Sequence, residues 1–332
     1  MKFRFFEMNA SDLQKIKYTK LTINFMATIR SSLFEKRDKR VSIKKALILI
    51  FFIVGIYSAA AQPIEVQANY NSIGDVEFVA YNNTPAPLFL NVNFADLQNT
   101  SFDEPLPYIK KLEPGFNTLF TLQRDLDADA PRFNYDIKFF RSDPMAEINL
   151  DFPYLIPLKP GETASVFDVK SIDGFWGSEE PESWVAAGFK VQPGQPVYAS
   201  RTGTVVEIVG SSRTSKPETW YHTWTNSITV LQTDGTLICY RNVVGRNKKL
   251  KVKEKIYAGE QIGVVPQNAN ELILLIFQNS LNSDDLRFII PQFVTSEDKT
   301  DMLISSKEYK VVHPEKIRGM EMSRRERRKN LK

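Results

Sequence analysis

The stretch PGQPVYASRTGTVVEIV (193–209), with NSITVLQTDGTLICYRNV (226–243), LKVKEKIYAGEQIGVV (250–265) and ELILLIF (271–277) after it, decides the fold of the second half of this chain. β-Branched and aromatic residues fill these runs, and Gly, Pro and Asp punctuate them, so they read as strands joined by turns. Asp234-Gly235 between ITVLQT and TLICY is a hairpin signal, because a tight two-residue turn needs φ > 0 and Gly supplies it. VQPGQPVYASRTGTVV (191–206) and VKEKIYAGEQIGVV (252–265) share one pattern of strand, Gly turn and strand, a loose internal duplication. Helix content reads as low.

Working outward, residues 62–150 also read as all-β. IEVQANY (64–70), DVEFVAYNN (75–83), LFLNVNF (88–94), NTLFTL (117–122) and NYDIKFF (134–140) are short runs separated by turn clusters. In LFLNVNF, Leu88, Leu90, Val92 and Phe94 alternate with Phe89, Asn91 and Asn93, which predicts a strand buried on one face. About seven such strands predict an immunoglobulin-like sandwich. Asp125, Asp127 and Asp129 have the spacing of cation ligands but lack the Gly turn and terminal Glu of a calcium loop, so a solvated acidic loop is expected. FPYLIPLKPGETASVFD, within 151–168, is Pro-containing and reads as a linker to a second domain at 169–317. The basic stretch at 318–332 reads as a solvated tail without an apolar face, with contact to anionic lipid or glycan as the other reading.

Charge is unevenly placed. The chain has 43 Lys+Arg and 39 Asp+Glu, of which residues 1–61 carry 12 and 4. The globular body is therefore acidic, which argues against nucleic acid as a partner. Residues 1–61 read as a signal peptide with a long leading region. Lys36, Arg37, Lys39, Arg40, Lys44 and Lys45 flank the twelve-residue apolar run Ala46–Tyr57, and Ala59-Ala60-Ala61 precedes Gln62. The run is short of the ~20 residues that span a bilayer, so cleavage is expected, with an uncleaved segment anchored in the membrane as the alternative. Met26 gives a start of ordinary signal proportions, and no Cys follows the run to carry a lipid. The single cysteine, Cys239, reads as a packed strand thiol without an internal disulfide partner.

The second-domain runs resemble the catalytic domain of the LytM/lysostaphin-type zinc endopeptidases, which cut peptidoglycan cross-links. A run close to YLIPLKPGE (154–162) precedes that domain in some secreted members, with a β-sandwich before it. The resemblance implies an all-β chain: a sandwich followed by a LytM-type sheet, the duplicated hybrid motif. It also implies a zinc held by a His and an Asp near the start of the domain and a His near its end.

Carried over residue by residue, the site is missing. The strand that follows the His/Asp pair is GQPVYA (194–199), which places the Asp on Gly188. The first His lands on Trp184 at the shorter spacing, or on Glu179 or Glu180 at the longer one. The Tyr-x-His-Leu run is Tyr240-Arg241-Asn242-Val243, and the closing His-x-His-Phe is Leu274-Leu275-Ile276-Phe277. Trp184, Gly188, Asn242, Leu274 and Ile276 thus stand where a catalytic zinc needs three ligands and a proton carrier. No cofactor is expected.

Three other chemistries were open. Glu179, Glu180 and Glu182 suit calcium or magnesium better than a hydrolytic zinc. His222, between Trp220 and Trp224 in TWYHTWTN, shares a strand face with both and reads as packing or ligand stacking. A Ser-based hydrolase needs a His–carboxylate pair, which neither His222 nor His313 has in sequence. Trp176, Trp220, His222 and Trp224 are candidates for stacking on a sugar or peptide. Filling of the lost metal site by aromatic residues is the other reading.

The expectation is a non-catalytic protein exported across the inner membrane to the periplasm or outer envelope. It would bind peptidoglycan or regulate a cell-wall hydrolase or other envelope protein. An active endopeptidase with atypical ligands is the alternative.

Overall fold

A computed structural model describes residues 63–169, 182–210, 226–245, 250–282 and 286–331. The expected signal segment lies outside these residues, as do Trp176, Glu179, Glu180, Trp220, His222 and Trp224. Residues Gln62–Lys332 form one compact unit. Among the described residues nearly all of its regular structure is strand, and no helix is long and apolar enough to cross a membrane.

The first layer pair comes from β1 (Ile64–Tyr70), β2 (Val76–Asn82), β3 (Leu88–Gln98), β4 (Tyr108–Leu112), β5 (Gly115–Leu122) and β6 (Arg132–Phe140). They form two three-stranded antiparallel sheets, ordered β1-β2-β5 and β4-β3-β6. One core joins them, centred on Phe78, Leu90, Leu112 and Leu122. Phe78 stacks on Phe120 at 4.7 Å and meets Phe133 and Tyr135 edge-on.

β3 departs from expectation. Leu88, Leu90 and Val92 face the core shared by the two sheets, yet Phe89 and Asn91 are buried as well. The reason is tertiary: Phe89, Ala86 and Phe140 pack in one cluster with Leu237, Leu275 and Phe277 from the second half. Polar contacts pin the same junction. Ser142 donates through N and Oγ to Asn279 Oδ1 (3.0 and 2.8 Å), and Gln278 Nε2 donates to the Asp143 carbonyl at 2.9 Å.

The run expected as a linker is built into the second half. It supplies β7 (Pro153–Tyr154) and β8 (Thr163–Asp168), and Leu155, Ile156 and Leu158 are fully buried. The next strands are β9 (Ala187–Lys190), β10 (Pro196–Tyr198), β11 (Gly203–Val209), β12 (Ser227–Gln232), β13 (Leu237–Arg241) and β14 (Val244–Gly245). After them come β15 (Lys255–Ile256), β16 (Gln261–Val264), β17 (Glu271–Asn279) and β18 (Leu286–Phe288). β19 (Gln292–Ser296), β20 (Lys299–Asp301) and β21 (Glu308–Lys310) complete the strands. A large sheet runs β15-β11-β12-β13-β17-β9-β8-β21, with β18 paired to β17.

The two repeats pair with each other. Pro196–Tyr198 lies against Gln261–Val264, and Gly203-Thr204 lies against Lys255-Ile256. The Asp234-Gly235 turn is present, with Gly235 at φ +87°, and a Cβ there would sit 2.6 Å from Asp143 Cβ. Glycine is thus needed both for the turn and for close approach of the 143–146 segment.

The basic stretch is partly helical, at Arg318 and Arg324–Asn330. α1 (Glu315–Arg318) is followed by α2 (Arg324–Asn330), which Ser323 opens with a capping box: Glu326 N donates to Ser323 Oγ, and Ser323 N donates to Glu326 Oε2.

Candidate functional site

Strands β13, β17, β9 and β8 lie side by side and carry most of the positions marked by the resemblance. Arg241, Ile273, Gly188 and Phe167 pair in register across them, so they form one row on one face. Leu274 pairs with Tyr240 and Ala187, and Ile276 with Ile238, on the opposite face.

The five positions therefore do not converge. Leu274 and Ile276, each 2% exposed, sit in the core on one face of the large sheet with Ile238, Tyr240 and Phe189. Gly188 faces away from them. The β17 residues sharing its face are Ile273, Leu275 and Phe277, one register step from the expected pair. In either register the side chains are hydrocarbon, so the loss of ligands does not depend on the step chosen.

Gly188 has no space for the expected carboxylate. A Cβ there would meet three ring carbons of Phe167 at 2.7–2.8 Å. Trp184, half-buried, lies on the same side. Its Nε1 donates to the Val169 carbonyl at 3.1 Å and its ring meets Phe288 edge-on at 5.0 Å. Asn242 closes β13 at φ 62°, and its Nδ2 donates to the Glu271 carbonyl at 2.8 Å. Each side chain is spent on packing or on capping a strand. Among the described residues no three His, Cys, Asp or Glu side chains gather to hold a metal. The residues present at these positions do not fit a zinc ion.

Cys239 is buried on the Gly188 face, and burial pushes its thiol up to about 11, against weaker opposing contributions from Thr229 and Arg241. A buried thiol raised in this way is a poor nucleophile at neutral pH. Tyr240 is fully buried. Its hydroxyl accepts from Ser200 N at 2.8 Å, and burial raises its pKa far above the ordinary phenol value.

A charged cluster escaped sequence reasoning. Arg201, 3% exposed, donates to Asp234 Oδ2 at 2.6 Å and to Glu321 Oε1 at 2.9 and 3.0 Å. Its guanidinium lies 3.7 Å from the Phe152 ring centre, and Tyr154 Oη is 3.2 Å away. Burial opposes its charge, but Tyr154, Glu321 and Asp234 outweigh that and raise its pKa. Thr233 Oγ1 also hydrogen-bonds Glu321. The partners are 33 and 120 residues away in sequence, so no local pattern signals them. All its polar contacts are internal, which makes it a clamp rather than a reaction centre.

A cleft of about 390 Å³ opens where the halves meet, lined by Pro63, Pro87, Phe139, Val206, Ile208 and Val252. The Arg141–Glu207 ion pair, at 2.6 Å, lies on its wall. The cleft offers apolar surface and one self-neutralised pair, which suits binding and not acid–base work.

No protein-family model matches the chain, and no curated protein matches it. Solved structures do. Lysostaphin is 23% identical over 31% of this chain and 39% of its own, at TM-score 0.24. Csd3 of Helicobacter pylori, in a hexagonal crystal, is 11% identical over 61% of this chain and 46% of its own, at TM-score 0.28. The M23 metalloprotease pseudoalterin is 13% identical over 49% of this chain and 97% of its own, at TM-score 0.29. The chain thus spans less than half the length of the first two. Likenesses at these TM-scores assign no activity, and the site rests on the strand pairing and side chains above.

Proposed function

We propose that this chain is a non-catalytic protein of the bacterial cell envelope, in which a LytM-type sheet serves binding or regulation instead of hydrolysis. The observation that carries the reading is the Phe167 ring over Gly188, which occupies the space a metal-binding carboxylate needs. The sandwich, read as immunoglobulin-like, supports the same view, because Phe89 and Phe140 cover the sheet face that bears Gly188. Export across the inner membrane follows from the apolar run and small residues before Gln62. The expected partner is peptidoglycan or a cell-wall hydrolase. A pull-down from envelope extract, combined with a stimulation assay on cell-wall amidases and sedimentation with purified peptidoglycan, tests this. Capture of a hydrolase with stimulation, or cosedimentation, supports it, and failure of all three removes it.

A further inference from the structure

The C-terminal helix presents a fixed basic ridge, and we propose that it docks the protein on an anionic phospholipid surface. This stands independently of the reading of the sheet. α2 is held from one side. Glu326 accepts from Lys255 Nζ at 2.6 Å and from Tyr257 Oη at 2.9 Å, and Arg327 Nε donates to the carbonyls of Gly319 and Met322. Arg318 reaches the Asn330 carbonyl at 3.3 Å, and the Arg201–Glu321 contact fixes the turn before the helix.

With Glu326 tied to Lys255 and Tyr257 and Arg327 tied to the preceding turn, Arg324, Arg325, Arg328 and Lys329 occupy the other side. They fall in two i,i+4 pairs on adjoining rows, all are exposed, and none makes an ion pair with a described residue. Like charges at that spacing repel, so the helix keeps this face against a local electrostatic cost while its cap and its opposite side hold it folded. Residues 62–317 carry 24 Lys+Arg against 33 Asp+Glu, so the ridge is a positive feature on an acidic body.

The chemistry that complements such a ridge is a field of phosphates. Nucleic acid is the less favoured polyanion, because His313–Leu331 contains no Phe, Tyr or Trp to stack a base and the body would repel the rest of the strand.

The test uses the compact unit Gln62–Lys332, sedimented with vesicles of phosphatidylcholine alone or mixed with phosphatidylglycerol. The proposal predicts binding to the anionic vesicles only, weakened by salt. It predicts a loss of at least about tenfold when Arg324, Arg325, Arg328 and Lys329 are all changed to serine, at roughly a factor of several per charge. The variant in which the three arginines become lysine retains binding, and the thermal transition of each variant confirms that the fold is intact. Equal binding to neutral vesicles overturns the proposal. So does full binding by the serine variant, or retention on DNA or anionic glycan without retention on vesicles.

Discussion

Phe167 and Gly188 are direct partners across β8 and β9, and the ring tip of one lies where the Cβ of any other residue at 188 would be. The contact turns a position that the resemblance assigns to a metal ligand into a packing site.

Gly188→Ala is expected to cost ~1–3 kcal/mol, because Phe167 must swing off its strand partner. In a Phe167→Ala background the same change should cost much less. Denaturant unfolding of the two single variants and the double variant gives the coupling energy. Equal costs in both backgrounds refute the contact.

Arg201→Met leaves Asp234 and Glu321 facing each other without the cation between them. Truncating one member of a buried ion cluster removes about 3–5 kcal/mol. The C-terminal segment should also become protease-sensitive, since Glu321 is one of its anchors. Calorimetry and limited proteolysis read both effects.

His313 is held neutral. Burial is the main cause of its lowered pKa, the Nε2–H donated to the Ile156 carbonyl at 2.9 Å opposes the shift, and Arg318 adds to it. A base with a depressed folded pKa binds fewer protons when folded. Its contribution is therefore intact above the ordinary value of 6.5 and is lost as pH falls below it. Thermal stability should begin to decline near that pH, and His313→Gln, which retains a donor, should remove this limb. A separate decline, starting near 4.5, belongs to carboxylates such as Glu326, whose pKa is drawn down to about 2 by Lys255 and Ser323. That group has the opposite charge type: its stabilisation is present above 4.5 and lost as pH falls towards 2. Melting curves across pH for both proteins separate the two limbs.

Cys239 should resist alkylation in the folded protein from neutral to mildly alkaline pH and react fully once unfolded. A thiol assay with and without denaturant checks this, and rapid native labelling contradicts the buried placement.

The strand runs, the hairpin at Asp234-Gly235 and the paired repeats were legible because each is a local pattern of residue type and turn chemistry. Leu88, Leu90 and Val92 were placed on the right face by alternation alone. The burial of Phe89 was not legible, since what covers the second face of β3 comes from Leu275 and Phe277, far along the chain. Register is not readable from the sequence for a related reason. Identity matching set Phe277 beside the family's Phe and so chose Leu274 and Ile276, whereas strand pairing sets Ile273 opposite Gly188. A slip of one residue changes the face and leaves an apolar sequence looking the same. Helix α2 shows no apolar stripe because its anchors are Glu326 and Arg327, polar contacts that hydrophobic periodicity does not register.

The most direct measurement is the zinc content of Gln62–Lys332 after equilibration with excess zinc and exhaustive dialysis. The account predicts far less than one ion per chain, since Gly188 and the β17 residues on its face, Ile273, Leu275 and Phe277, offer no donor and the Phe167 ring packs over Gly188. One tightly held, chelator-removable zinc per chain would contradict it.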